Sequence, residues 1–221
     1  MRMSHARNDP PHDTHHGHAH GHKFPAQHWE RLLSDERRAL LDPERLLDRV
    51  GVGAGMTVAD LGAGPGFFTF PLAARVGPSG RVYATDVSRD MLEVLEQRGL
   101  PPHVHPIHAQ ESKFDIPDGV VDIALLGFVL HELAHATEFL GEVRRILRPD
   151  GRLVVLEWVP QEEPIGPPLH ERLSEAQSET LLAAGGFQIL ERGHANASNY
   201  LLVTAPAQRN AHEVGEASRR T

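Results

Sequence analysis

The run Asp60-Leu-Gly-Ala-Gly-Pro-Gly66 constrains the fold more than any other part of this chain. It follows Thr57–Leu61, a short apolar stretch with the pattern of a buried strand. It precedes a segment predicted to be helical from about Phe67 to Val76. Gly62 and Gly64 let the backbone turn tightly and let a ligand approach the main chain. The helix beginning beyond them offers unpaired N–H groups and a partial positive charge, which suit a carboxylate or phosphate. A glycine cluster alone is equally compatible with a purely structural turn. The context adds Asp86, about twenty residues further on and at the end of the next predicted strand. A carboxylate placed there can accept both hydroxyl hydrogens of a ribose.

Strand-like and helix-like patterns alternate along the rest of the chain, which argues for an α/β fold with a largely parallel sheet. Strands are predicted at Thr57–Leu61, Arg81–Asp86, Val104–His108, Val121–Phe128 and Arg152–Trp158, with two closing strands at Phe187–Glu191 and Tyr200–Thr204. Helices are predicted at Pro43–Val50, at Phe67–Val76, from Ser88 as N-cap to Gln97, at Glu138–Leu147, and from Ser174 to Ala184. Pro149-Asp150-Gly151 is expected to form a turn. Residues 1–28 hold eight of the 16 histidines and almost no apolar residues, so they are expected to be disordered. The folded domain is expected over 29–206, followed by a polar tail over 207–221.

Composition removes several kinds of chemistry. The 221 residues include no cysteine, which excludes disulfides, thiolate metal sites, iron–sulfur clusters and a cysteine nucleophile. Only Lys23 and Lys113 are lysines, and no Gly-Lys-Ser/Thr occurs, so there is no P-loop. The net charge of −8, with no basic face, argues against a nucleic-acid partner. Ile123–Leu130, eight residues, is the longest apolar run, too short to cross a bilayer. With no signal-peptide core at the N-terminus, a cytoplasmic protein without a membrane partner is expected.

Four blocks in order resemble the class I S-adenosylmethionine-dependent methyltransferases, closest to their small-molecule branch of the UbiE/Coq5 type. They are Val58-Ala-Asp-Leu-Gly-Ala-Gly-Pro-Gly-Phe-Phe68, Val82-Tyr-Ala-Thr-Asp-Val-Ser-Arg-Asp-Met-Leu92, Phe114-Asp-Ile-Pro-Asp-Gly-Val-Val-Asp122 and Ile146-Leu-Arg-Pro-Asp-Gly-Arg-Leu-Val154. The resemblance implies a Rossmann-like doubly wound sheet of seven strands, mostly parallel with a C-terminal antiparallel strand, and helices on both faces. It implies S-adenosylmethionine as cofactor and direct in-line methyl transfer to a small-molecule acceptor by a monomer or homodimer. In that family's arrangement Asp60 supports the loop through the cofactor's amino group or a loop amide. Gly62, Gly64 and the main chain near Gly127 lie against the methionine end. Asp86 binds the ribose diol and Val87 packs on adenine. The family often places an Asp after the third strand, facing the adenine amino group. Here Gln110 and Glu111 stand instead, and an amide oxygen can also accept from that amino group.

His131-Glu-Leu-Ala-His135 matches the zinc-protease pattern H-E-x-x-H, which needs both histidines on one face of a continuous helix. Here a buried strand runs straight into the motif and a new helix starts near Thr137, so a strand end and loop are expected and no metal site is assigned in the domain. At the carboxyl edge of the sheet His131 can act as a base toward an acceptor, or cap the loop by hydrogen bonds. Glu132 is a second candidate there. A zinc hydrolase built on His131, Glu132 and His135 is the remaining reading of the motif. His12, His15, His16, His18, His20 and His22 give the tail the ligands for loose divalent-metal binding. They support a second reading, a metal-binding or metal-responsive protein on the same scaffold. Pro160–Leu173, rich in proline, reads either as a lid or as a long connection.

Overall fold

Alternation along the two central strands decides the architecture. In the computed structural model, which describes residues 24–163 and 165–208, β1 (Thr57–Leu61) and β4 (Val121–Gly127) lie parallel, Val58 opposite Ile123 and Leu61 opposite Leu126. Val58, Ile123 and Leu125 face one side of the sheet, and Ala59, Leu61, Ala124 and Leu126 face the other. Both faces of these strands are apolar, so both must be covered.

The remaining strands are β2 (Arg81–Asp86), β3 (Val104–His108), β5 (Leu147–Trp158), β6 (Phe187–Asn196) and β7 (Asn199–Pro206). They assemble in the order β3-β2-β1-β4-β5-β7-β6. Only β7 runs against the others, pairing antiparallel with β5 and β6. The helices are α1 (Trp29–Leu32), α2 (Asp35–Leu41), α3 (Pro43–Arg49), α4 (Thr69–Val76), α5 (Arg89–Gln97), α6 (Ala136–Ile146) and α7 (Glu175–Ala184). Helices α3, α4 and α5 cover the Val58 face with Leu46, Leu47, Leu72, Val76, Leu92 and Leu95. Helices α6 and α7 cover the Leu61 face with Phe139, Leu140, Val143, Ile146 and Leu182. This is the doubly wound sheet with helices on both faces. Its strand order reverses between β1 and β4, where ligands bind in open α/β sheets.

Local signals account for most element ends. Ser88 accepts the Met91 N–H at 3.3 Å, and Ser174 forms a capping box with Gln177. The differences from expectation have physical causes. Helix α4 begins at Thr69, because Phe67 and Phe68 are spent in the turn, packed edge to face at 4.9 Å. Helix α6 begins at Ala136, two residues before the predicted start. At Pro149-Asp150-Gly151 the ladder is interrupted but not ended: Val121 pairs with Leu147 and Ile123 with Arg152, so the residues between bulge outward. The β6–β7 ladder extends to Asn196 and Asn199, beyond the apolar positions that mark it in the sequence, since backbone pairing needs no apolar alternation. Helices α1 and α2 are short and highly charged and carry too little periodicity to be predicted. The histidine cluster from His12 to His22 lies outside the described residues.

Asp60 locks the glycine loop to the helix that follows. Its carboxyl is 2% exposed and accepts the Thr69 hydroxyl at 2.6 Å, tying the end of β1 to the first residue of α4. Within the described chain the carboxyl meets a hydroxyl, a partner that the resemblance did not imply. Burial, reinforced by the nearby Asp86 charge against the pull of Thr69, pushes its pKa up to about 7. The folded chain thus keeps a proton that the unfolded chain releases near pH 4. Stability is expected to fall as pH rises from about 4 to about 7. Asp60→Asn should remove about 1–3 kcal/mol of that decline in denaturant titrations at pH 5 and pH 8. An unchanged decline would show that Asp60 is ionised throughout.

Candidate active site

The carboxyl ends of β1, β2 and β4 open into a cavity of about 940 Å³. Two glycines shape its floor. Gly62 has φ +75°, and a Cβ there would lie 2.5 Å from Val129 Cγ2. A Cβ on Gly127 would lie 2.8 Å from the Phe68 ring. The missing side chains let the loops after β1 and β4 touch. The next residue, Phe128, holds φ 64°, a conformation that costs a bulky residue energy and marks functional turns. Its N–H donates to the Leu156 carbonyl at 2.8 Å, which holds the strained turn to β5.

Asp86 ends β2 at the wall of this cavity. One carboxylate oxygen accepts the Gly64 N–H at 2.8 Å and the other the Ser88 N–H at 2.8 Å. These bonds fix the carboxylate's orientation and join the glycine loop to the second strand. Gly62, Gly64, Val87, Gln110, Glu111 and Gly127 line the same space. Val87 is 37% exposed, an apolar side chain presented at the cavity edge. The Gln110 main chain is pinned by reciprocal bonds with Lys113. Asp60 is the one predicted cofactor residue that does not line the cavity; it lies beneath the loop.

His131 lines the opposite side, in a short 3-10 turn, Leu130–Glu132. Its Nδ1–H donates to Glu157 at 2.9 and 3.0 Å, and its backbone N–H donates to the same carboxylate at 3.2 Å. Glu157 sits fully buried within β5 and also accepts the Trp158 N–H at 3.3 Å. A carboxylate accepts only, so the neutral ring carries its proton on Nδ1 and presents Nε2 as the basic atom. Burial by itself lowers the His131 pKa. The Glu157 hydrogen bond and charge, aided by Glu132 and Glu171, outweigh it and hold the pKa above its ordinary value. Glu132 stands 4.0 Å from His131 Nε2. Burial pushes its pKa up to about 7, against the opposing pulls of His131 and of the Phe24 backbone N–H it accepts. His135 is the N-cap of α6, so the two histidines of H-E-x-x-H share no helix, and the zinc-protease geometry is not formed. Among the described residues no cluster of three metal-ligating side chains occurs.

Three site residues escaped the sequence reading. Glu157 sits in an apolar strand and carries no motif. Arg37 comes from the charged run Asp35-Glu-Arg-Arg38; its guanidinium lies 5.1 Å from the Phe67 ring centre and 4.9 Å from that of Phe128. Arg172, 6% exposed, donates to the carbonyls of Val159, Gln161, Ile165 and Pro167 and lies over the Trp158 ring at 5.2 Å. It gathers the proline-rich segment into a compact flap. Ile165, Gly166, Pro167, Pro168 and Glu171 of that segment line the cavity. Phe24, Leu32 and Arg37 close the other side.

A methyltransferase-domain family model matches residues 59–155. The ubiquinone/menaquinone biosynthesis C-methyltransferase UbiE of Hahella chejuensis is 34% identical over 123 residues, 54% of this chain and 49% of that protein. A demethylmenaquinone methyltransferase of a Geobacillus species is 34% identical over 136 residues, 59% of this chain and 58% of that protein. The chain thus spans about half the length of the curated relatives it matches. A crystal structure of a SAM-dependent methyltransferase from Aquifex aeolicus superposes with a TM-score of 0.79 at 31% identity, covering 82% of this chain and 98% of that one. With its sheet order, its glycine loop facing Asp86 and a likeness spanning that whole enzyme, this chain belongs to the S-adenosylmethionine-dependent methyltransferases.

Proposed function

We propose that this protein methylates a ring carbon of a small hydroquinone-type acceptor, using S-adenosylmethionine. The observation that carries the reading is the His131–Glu157 pair, a buried base with its tautomer set, facing the cavity that Asp86 closes from the other side. The two curated relatives, named for C-methylation and for demethylmenaquinone, support the acceptor class.

The cavity fits the cofactor on its own geometry. Its floor is a cradle that side chains on Gly62 and Gly127 would fill. Asp86 brings an oriented carboxylate to the end of β2, suited to ribose hydroxyls, and Val87 offers an apolar edge to a base. When bound, the cofactor supplies an electrophilic methyl group. The protein contributes orientation, water exclusion and a place for the proton. His131 Nε2 removes the proton of an acceptor hydroxyl, which pushes electron density onto the neighbouring ring carbon that accepts the methyl. Re-aromatisation releases the carbon-bound proton while the hydroxyl is restored, so one proton leaves overall and His131 carries it out. Glu157 holds the imidazole in the required tautomer and stabilises the imidazolium. Phe67, Phe128 and Trp158 give a flat ring apolar surfaces. Phe24 and Ile165, both exposed at the rim, leave an apolar exit for a hydrocarbon substituent.

Two measurements test this. Calorimetric titration should show S-adenosylhomocysteine binding that weakens about tenfold to a hundredfold in Asp86→Ala, the value of one or two bonds to a charged acceptor. Absence of binding to the wild type would remove the cofactor reading. Methyl transfer from labelled cofactor to 1,4-naphthoquinol should rise with pH and level off above an inflection higher than the ordinary histidine value of about 6.5, because the base must be neutral and its pKa is raised. His131→Ala should lower kcat by about 10²–10⁴ while keeping S-adenosylhomocysteine affinity. Glu157→Gln should move the inflection to lower pH. Unchanged turnover in His131→Ala would end its assignment as the base, and cofactor binding without transfer to the naphthoquinol would end the acceptor assignment.

A further inference from the structure

With His131 as the base, the residue beside it has no task yet. Glu132 follows it directly in the same 3-10 turn, and both residues line the cavity. Glu132 Oε1 stands 4.0 Å from His131 Nε2, too far for a hydrogen bond between them and close enough for one ligand to reach both. Glu157 holds the imidazole by Nδ1, so Nε2 is the nitrogen left for the cavity. Glu132 accepts the Phe24 backbone N–H. An ionised carboxylate has about four lone-pair sites, so one such bond leaves most of its accepting capacity unfilled.

Two acceptors side by side in a sheltered site oppose each other. With His131 neutral and Glu132 ionised, neither can donate to the other. Little water reaches them: the His131 side chain is 6% exposed and that of Glu132 22%. Further carboxylates face them, Glu157 from β5, Asp86 from the end of β2 and Glu171 from the flap. Burial, reinforced by the Glu157 and Asp86 charges, raises Glu132 to about 7. Against burial, Glu157, Glu132 and Glu171 keep His131 above its ordinary value. The pair by itself therefore favours an added proton. A ligand that brings two donors resolves the conflict without one.

The spacing selects the kind of ligand. A single hydroxyl has one proton and satisfies one of the two acceptors. Hydroxyls on adjacent ring carbons lie close together and turn to the same side, so each can meet its own acceptor at about 2.8 Å. Hydroxyls across a ring point in opposite directions and cannot both turn to one wall. Resting on the acceptor reading above, we propose that Glu132 binds the acceptor beside His131, and that the acceptor carries two neighbouring hydroxyls, one donating to His131 Nε2 and the other to Glu132. The first loses its proton to the imidazole. The second keeps its proton and fixes which ring carbon is turned toward the methyl group. The substrate class is thus a hydroquinone-type ring with a further hydroxyl beside the one that His131 deprotonates.

The test uses the full chain, as wild type, Glu132→Met and Glu132→Gln. Each is titrated with 4-nitrocatechol and 4-nitrophenol, with and without saturating S-adenosylhomocysteine. The two probes share a ring and differ by one adjacent hydroxyl, and loss of a proton from either changes its visible absorbance. The wild type should bind 4-nitrocatechol about tenfold or more tighter than 4-nitrophenol, the value of one bond to a charged acceptor. Glu132→Met should abolish that preference while 4-nitrophenol and S-adenosylhomocysteine affinities stay within about twofold. Glu132→Gln should keep part of it, because an amide oxygen still accepts. The inference is overturned if the wild type binds the two probes equally, since a water molecule then serves both acceptors. It is also overturned if Glu132→Met keeps the preference, or if it weakens both probes and S-adenosylhomocysteine alike, since Glu132 would then only hold Phe24 in place. The comparison made without cofactor stands apart from the cofactor reading, which fails if S-adenosylhomocysteine does not bind the wild type. A Glu132-dependent preference for 4-nitrocatechol, with no methyl transfer to any hydroquinone, would keep this role for Glu132 and strike the hydroquinone reading.

Discussion

Everything at the site depends on how closely the loops leaving β1 and β4 approach each other. Sheet geometry brings the two strands together at about 4.8 Å, and the chain must then leave them for opposite faces. Gly62 against Val129 and Gly127 against Phe68 are the contacts that absent side chains permit. The strain this concentrates at Phe128 is held by its hydrogen bond to Leu156 and by packing on Trp158. Asp86, at the end of β2, and His131, in the turn after β4, leave the same carboxyl edge on either side of that junction and line one cavity.

A second theme is how the chain manages charge where water is scarce. Asp60 and Glu132 respond to burial by retaining protons near neutrality. His131 and Glu157 respond by pairing, with a geometry that leaves one ring nitrogen for chemistry. Arg172 spends its donors on carbonyls of its own flap. Arg37 has no such arrangement within the described chain. Arg37, Phe128, Trp158 and Arg172 stack in sequence through the cavity wall, linking the N-terminal cover to the proline-rich flap.

The legible part of the site was the part built from local sequence. The glycine loop and Asp86 carry their meaning in spacing, because the turn and the end of the next strand are fixed by backbone geometry. His131 was visible because a strand ran directly into it. The break in H-E-x-x-H was legible for the same reason, since a strand that runs into the motif leaves no continuous helix to carry both histidines. Asp60 was singled out with the loop, but its partner Thr69 was not foreseen, because which polar group meets a buried carboxyl depends on where the helix starts. Glu157 gave no signal: twenty-six residues separate it from His131, and only the β4–β5 pairing brings them together.

The sequence by itself determined the α/β class, the alternation of strand and helix, the glycine loop, the acid at the end of β2 and the family blocks, since each rests on periodicity or short-range spacing. Tertiary structure alone decided that Arg37 stands between two rings, that Glu157 orients His131, and that Arg172 gathers the carbonyls of the proline-rich segment beside the cavity. Those features join residues whose neighbours are set by strand order and by which face a helix covers. Charge compensation in a cavity is a property of all the walls at once, and no single segment of the chain encodes it.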